Sequence, residues 1–402
     1  MTAGPRALKL EPRIQHYAWG DPAFIPDLLG RPRDGRPWAE AWYGAHPSAP
    51  STVHTAAGPK SLDAYLSMEA TRLLGSEVAG NFGTLPYLVK LLAAARPLSI
   101  QVHPDAAQAR AGFDREQAAG IPLDAPHRNY RDRQHKPELI VALTPFHALC
   151  GFRALDDIAS RLADLPELSD LLPGEFKDHE SLDVLLAAWF ALPDAKVRLA
   201  LDRLLARLTQ QQPEISTPEF WLLQAQAALG PQAPADRGLL FLFLLELREL
   251  RPGQALFLDA GIPHAYLRGA GIEVMAASDN VLRAGLTPKH VDVPELMEQI
   301  RFAARRPPVL RPEPVSAVEA VFATPAEEFR LSEVRPGPEP TILTARAAEI
   351  LLGLEGEARL RVPDAGREIP LPRGATLLVP AAVGRYAVSG SGCFFRATTP
   401  VS

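Results

Sequence analysis

Cysteine is nearly absent: the 402 residues hold two, Cys150 and Cys393, and no CxxC pair. That excludes a disulfide scaffold and a cysteine-built zinc ribbon, and leaves two buried free thiols as the expectation, with a single disulfide as the alternative. Long apolar runs are missing as well. The run Leu239–Leu245 ends at Glu246, and Met1–Leu10 carries no apolar core of signal-peptide length. Neither a membrane span nor an export signal is expected, and a cytoplasmic location is. Blocks of one charge are also absent. With 42 basic against 47 acidic residues the formal net charge is −5, which leaves no electrostatic footprint for nucleic acid. A small anionic ligand held by a few local cations remains compatible with that balance.

The 40 prolines fall in short turn-like clusters, the texture of a β-rich protein, and the length suggests about two to three domains. Up to Gly151 the pattern is short strands with one helical passage, Ser61–Leu74. Helical spacing takes over after Phe152, in Leu155, Ile158, Ala159 and Leu162 and again in Val197, Leu201, Leu204, Leu205 and Leu208. A further helix is predicted to open with Ser216 as N-cap, Pro218 in the first turn and Glu219 closing a capping box, and to stop near Gly230. Strand character returns at Gly238–Leu250, Arg251-Pro-Gly253 turns into a strand at Ala255–Leu258, and the loop Asp259–Pro263 presents His264. From Arg306 onward, the alternation of Ala358, Leu360 and Val362 and the strand Gly374–Pro380 predict another β-sandwich. It contains no histidine, the last being His290, so its role is read as structural.

The densest chemistry lies in Leu98-Ser-Ile-Gln-Val-His103. Strict alternation turns Ser99, Gln101 and His103 to one polar face and packs Leu98, Ile100 and Val102 the other way. Two donors two residues apart on a strand stand close enough to share one metal ion.

With Leu85-Pro-Tyr-Leu-Val-Lys90 before it, and His135-Lys-Pro-Glu138 and Gly261-Ile-Pro-His264 after it, this strand resembles the type I mannose-6-phosphate isomerases, a zinc-dependent branch of the cupins. The resemblance implies one zinc per chain, held by Gln101, His103, Glu138 and His264, an open set suited to catalysis. Ligands on both sides of the helical block imply a closed barrel interrupted by an insertion. The fold class expected is therefore mainly β with a helical insertion: a cupin (jelly-roll) catalytic barrel of residues 1–153 and 236–305, a helical domain of 154–235, and a degenerate cupin-like β-domain of 306–402.

The segment Ser278–Lys289 matches the family motif that lies over the metal, which implies a catalytic role for Arg283 and a phosphate-holding one for Lys289. Lys90 and Ser99 complete the implied phosphate clamp. The activity implied is interconversion of mannose 6-phosphate and fructose 6-phosphate through an enediolate. His135 and Lys136 lead as proton carriers and Asp279 assists ring opening. Isomerisation of free mannose or of other phosphosugars stays open, as do an iron-dependent cupin dioxygenase and a non-catalytic sugar- or metal-binding cupin. A small phosphosugar is the expected partner of a monomer, with no nucleic acid or membrane. Trp19, Trp42 and His46 are read as packing residues. The chain departs from the family pattern at Tyr43, at Arg237 where an apolar residue is usual, and at Glu246.

Overall fold

The computed structural model describes residues 6–169, 171, 181–230, 233, 236–362 and 368–401. Residues 1–5 and, within the expected helical block, residues 172–180 lie outside that set. Ten strands form one sheet that turns over on itself, and the pivot is the long strand His264–Ala276. Its first half pairs with Phe146–Phe152 and, at His264, with Ile100–Val102. Its second half lies between Tyr87–Ala94 and Glu138–Ala142. Gly269 sits between the halves with φ of +124°, where an added Cβ would lie 2.6 Å from the Pro145 carbonyl oxygen. A side chain there would block the crossing.

One leaf runs from Arg13–Gln15 and Glu40–Gly44 through Tyr87–Ala94 and Glu138–Ala142 to Ala255–Leu258. The other runs from Leu245–Leu250 through Phe146–Phe152 and Ile100–Val102 to Leu282–Gly285. Among the described residues no hydrogen-bonded strand pair closes the ring. The expected closed barrel is instead a pair of facing leaves. Between them Leu92, Ala94, Ile140 and Ala142 meet Phe146, Ala148, Cys150 and Tyr266. Leu98 joins this inner cluster rather than siding with Ile100 and Val102, because the regular strand begins only at Ile100.

Both outer faces are covered. Ala41, Val89, Leu139 and Ile272 of the first leaf pack against Ile350, Leu378 and Phe395, so all eight residues of Tyr87–Ala94 are buried and the strand is apolar on both sides apart from one lysine. Ile100, Leu149 and Leu267 of the second leaf pack against Trp189, Leu201 and Trp221 of the helices. Those helices, Leu155–Ala163, Leu182–Ala191, Asp194–Gln211 and Pro218–Leu229, lie between two strands that pair with each other, Phe146–Phe152 and Leu245–Leu250.

Several local expectations shift. The cap of Pro218–Leu229 is Thr217, whose hydroxyl accepts the Phe220 amide, and not Ser216; with proline at the first helical position the cap is the residue just before it. Gly238–Leu250 begins with a 3-10 turn, Arg237–Leu240, and a helical turn, Phe241–Leu244, and becomes strand only at Leu245. Every side chain of Leu239–Leu245 is fully buried, and an apolar run without period does not separate helix from strand. A helix at Ala106–Ala118, opened by a capping box of Asp105 and Gln108, was not anticipated.

The C-terminal strands form the expected sandwich, with Leu351, Val379 and Phe394 of one sheet against Leu360, Tyr386 and Val388 of the other. Its larger sheet recruits the chain start, since Leu8–Glu11 pairs with Thr376–Val379 and with Thr52–Thr55. Both cysteines are free and buried. Among the described residues no helix is long and apolar enough to cross a membrane.

Candidate active site

The pivot strand brings the site together. His264 stands opposite Gln101 in register, and Gln101 is itself opposite Arg283 on the next strand, so these three side chains share a face at neighbouring positions. Glu138 starts the adjacent strand of the other leaf. His103 Nε2 lies 3.3 Å from Glu138 Oε1, and His264 Nε2 lies 3.5 Å from Glu138 Oε2. One donor atom from each of the three falls within 4.8 Å of the others, and all three residues are buried.

Backbone contacts orient both rings. His103 Nδ1 is 3.0 Å from the Asn280 carbonyl oxygen and His264 Nδ1 is 2.9 Å from that of Ile262. Each Nδ1 therefore carries the proton and donates it, leaving each Nε2 lone pair turned inward. His103 Nε2 is buried without a hydrogen-bond partner. Burial pushes the His103 imidazole down to about 4, so it is neutral at working pH. Burial alone would raise the Glu138 carboxyl, but Lys136, with Nζ at 3.0 Å, and His103 hold it well below the usual range. Two imidazole nitrogens turned inward and an ionised carboxylate, with an orphaned nitrogen among them, fit a divalent cation.

Two expected residues are engaged elsewhere. Lys90 does not stand free to take a phosphate: its ammonium is 2.9 Å from Glu273 and 3.7 Å from Glu40, lies over the Trp42 ring, and is buried. Burial works against its charge, yet Glu273 and Glu40 outweigh it and hold the lysine well above its usual range. Glu273 also accepts from the Tyr266 hydroxyl at 2.8 Å, and burial raises its carboxyl despite Lys90. His135 departs too. Whereas the neighbouring Lys136 reaches Glu138, the His135 Nε2 meets Glu328 of the C-terminal region at 2.6 Å. That hydrogen bond raises the imidazole above its ordinary value.

A cavity of about 980 Å³ is lined by Ser99, Gln101, Arg283 and Lys289 together with Tyr17 and Glu40. Among the described residues neither Arg283 nor Lys289 has a carboxylate partner within ion-pair distance. Burial lowers both, and Arg131 adds to the effect on each. Asp279 Oδ2 is 3.3 Å from His46 Nε2. Burial would raise that carboxyl, but His46 and then Lys136 bring it below its usual value. His46, read from sequence as packing, thus touches a site residue.

A profile of the phosphomannose isomerase type I catalytic domain matches residues 7–155. The mannose-6-phosphate isomerase of Escherichia coli (strain K12) is 40% identical over 395 residues, covering 96% of this chain and 98% of its own. The chain belongs to the type I phosphomannose isomerases. The human mannose-6-phosphate isomerase is 33% identical over 410 residues, covering 94% of each chain. The crystal structure of the Salmonella typhimurium enzyme bound to its substrate, fructose 6-phosphate, and a zinc atom superposes with a TM-score of 0.87 at 37% identity, covering 98% of this chain and all of that one.

In this chain, sequence reasoning missed the clasp behind the candidate metal centre. Asn280, fully buried, accepts the Arg131 amide at 2.7 Å and donates to the carbonyls of Asp132 and Gln134, each at 2.8 Å. Ser278 and the Asp279 amide bond the Asp132 carboxylate, both at 2.9 Å. The clasp ties the loop ahead of Glu138 to the segment whose carbonyl orients His103. The polar density of Ser278-Asp-Asn280 was the available signal; its partners, about 150 residues away, were not.

Proposed function

We propose that this chain is a zinc-dependent aldose–ketose isomerase that interconverts mannose 6-phosphate and fructose 6-phosphate through an enediolate. The carrying observation is the junction at Gln101, whose strand neighbours are His264 of the metal set on one side and the carboxylate-free cation Arg283 on the other. The Salmonella enzyme, with zinc and fructose 6-phosphate on a closely similar fold, supports both metal and substrate.

His103, Glu138 and His264 would hold the metal, with Gln101 as fourth ligand. When bound, zinc would supply a Lewis acid that polarises a carbonyl or hydroxyl oxygen of the sugar. Arg283 adds positive charge where the enediolate develops. Lys289 and Ser99 hold the phosphate, and its binding energy orients the distant reacting carbons. The reaction moves one proton from C2 to C1 and another between two oxygens, with no net oxidation. Lys136, in reach of Glu138, is the proton carrier, since His135 is engaged by Glu328. Asp279, paired with His46, assists ring opening. Lys90 serves as counter-ion to Glu273 and Glu40 beneath the cavity.

The facing leaves are read as a cupin jelly roll, with residues 154–235 as a helical insertion and 306–402 as a degenerate cupin-like domain that borrows the first strand. Coverage of both outer faces within the chain supports a monomer. Free buried thiols support a reducing, cytoplasmic setting. A coupled assay of Lys289→Ala on mannose 6-phosphate and on free mannose tests the substrate assignment. The phosphorylated sugar is expected to lose far more catalytic efficiency; equal losses would put a free-sugar isomerase in its place.

A further inference from the structure

The arch Gly285–Lys289, which carries Lys289 to the cavity, is held under backbone strain. Leu286 has φ of +56°, one of two described non-glycine residues with positive φ, in a conformation where Cβ crowds the following carbonyl. Gly285 beside it, at +140°, leans on Gly238 so closely that an added Cβ would fall 2.3 Å from the Gly238 Cα. Such an arch needs an external brace.

Asp236 is positioned as that brace. One carboxylate oxygen accepts the Gly238 amide at 2.6 Å, and the other accepts the Thr287 amide at 3.3 Å. The next residue, Arg237, is anchored in turn. It donates to the Trp189 carbonyl at 2.7 Å, to the Leu192 carbonyl, and to Asp194 at 2.6 Å, while the Trp189 indole donates to the Arg237 carbonyl at 3.1 Å. A guanidinium thus closes the C-terminal end of helix Leu182–Ala191, where carbonyls lack partners. This accounts for arginine at a position where the family usually has an apolar residue. Asp236, Arg237, Gly285, Leu286, Thr287 and Lys289 all line the one cavity.

We propose that Asp236 is a positioning residue for phosphate recognition: its carboxylate ties the strained Gly285–Lys289 arch to the arginine-capped helix end and so holds Lys289 where the substrate's phosphate binds. The inference rests on the assignment of Lys289 to the phosphate. A carboxylate near a phosphate would ordinarily repel it, but both Asp236 oxygens are occupied by backbone amides. Without the brace the arch relaxes, and the cost of ordering Lys289 falls on substrate binding.

The test is steady-state kinetics of zinc-loaded, full-length Asp236→Ala and Asp236→Asn on mannose 6-phosphate, with inorganic phosphate as a competing anion. In Asp236→Ala, KM and the phosphate inhibition constant are expected to rise together, about ten-fold, while kcat stays within about two-fold and zinc content is unchanged. Asp236→Asn keeps one acceptor oxygen and the same volume, so it is expected to fold and to show a smaller rise of the same kind. Unchanged KM and phosphate inhibition in both variants, or a loss carried by kcat or by zinc, overturns the proposal. Lys289→Ala measured alongside separates the premises. If it leaves phosphate inhibition unchanged, the phosphate assignment itself fails; if it weakens inhibition and neither Asp236 variant does, the positioning role alone fails.

Discussion

Replacing Lys90 with methionine removes the ammonium while keeping the aliphatic stem. Lys90 and Glu273 are 8% and 3% exposed at the side chain and 2.9 Å apart, with Glu40 at 3.7 Å. Removing one partner of a buried ion pair costs about 3–5 kcal/mol. Here Glu273 would be left with the Tyr266 hydroxyl and with Glu138 and Glu40 as like-charged neighbours. With an unfolding entropy of about 2.1 cal/mol/K per residue over 402 residues, that cost lowers Tm by about 4–6 °C. The pH dependence has a definite sign. Glu273 already lies above its ordinary value of 4.5, and losing Lys90 raises it further. A carboxyl raised in the folded state contributes its stability in full below the unfolded value and loses it as pH rises through the folded one. The deficit is therefore largest near about pH 8 and shrinks toward about pH 5. Thermal melts of the zinc-loaded variant across that range measure it, and Glu273→Gln added to Lys90→Met should recover part of the loss. Unchanged melting near about pH 8, with the whole penalty in KM for mannose 6-phosphate, would refute the counter-ion role and return Lys90 to the phosphate clamp.

Arg283→Ala should lower kcat by about 10²–10³ with zinc content intact, because a charge aimed at the enediolate acts on the transition state; unchanged turnover sinks that role. His135→Gln should keep turnover within about three-fold and cost about 0.5–1 kcal/mol of stability, the range of a partly exposed pair. Glu328 raises His135 above 6.5, so this contribution is full below about pH 6.5 and fades as pH climbs through the raised value. Melts near about pH 6 and pH 9 check the fading, and a turnover loss beyond about ten-fold would restore His135 to the reaction.

The grouping of His103, Glu138 and His264 was legible because its signals are local: alternation from Gln101 to His103, and a motif around each of Glu138 and His264. What escaped depends on partners distant in sequence. Lys90 looks the same whether it awaits a phosphate or is enclosed by Glu40 and Glu273, which reach it from separate strands. His135 borders a ligand motif, yet Glu328 is 193 residues away. The helical texture after Phe152 was plain from its period, whereas Leu239–Leu245, buried all round, had none to read. Alternating burial of Leu8 and Leu10 marks a strand but not its partner, and pairing with Leu378 across the chain is a tertiary choice.

His103, Glu138 and His264 are assigned to hold the catalytic metal. Elemental analysis of His264→Ala beside the unaltered protein, with phosphosugar interconversion measured on the same samples, tests that assignment most directly. About one zinc per chain is expected in the unaltered protein, and loss of metal and activity together in the variant. Full zinc occupancy in an inactive variant, or full activity in one stripped of metal, would contradict it.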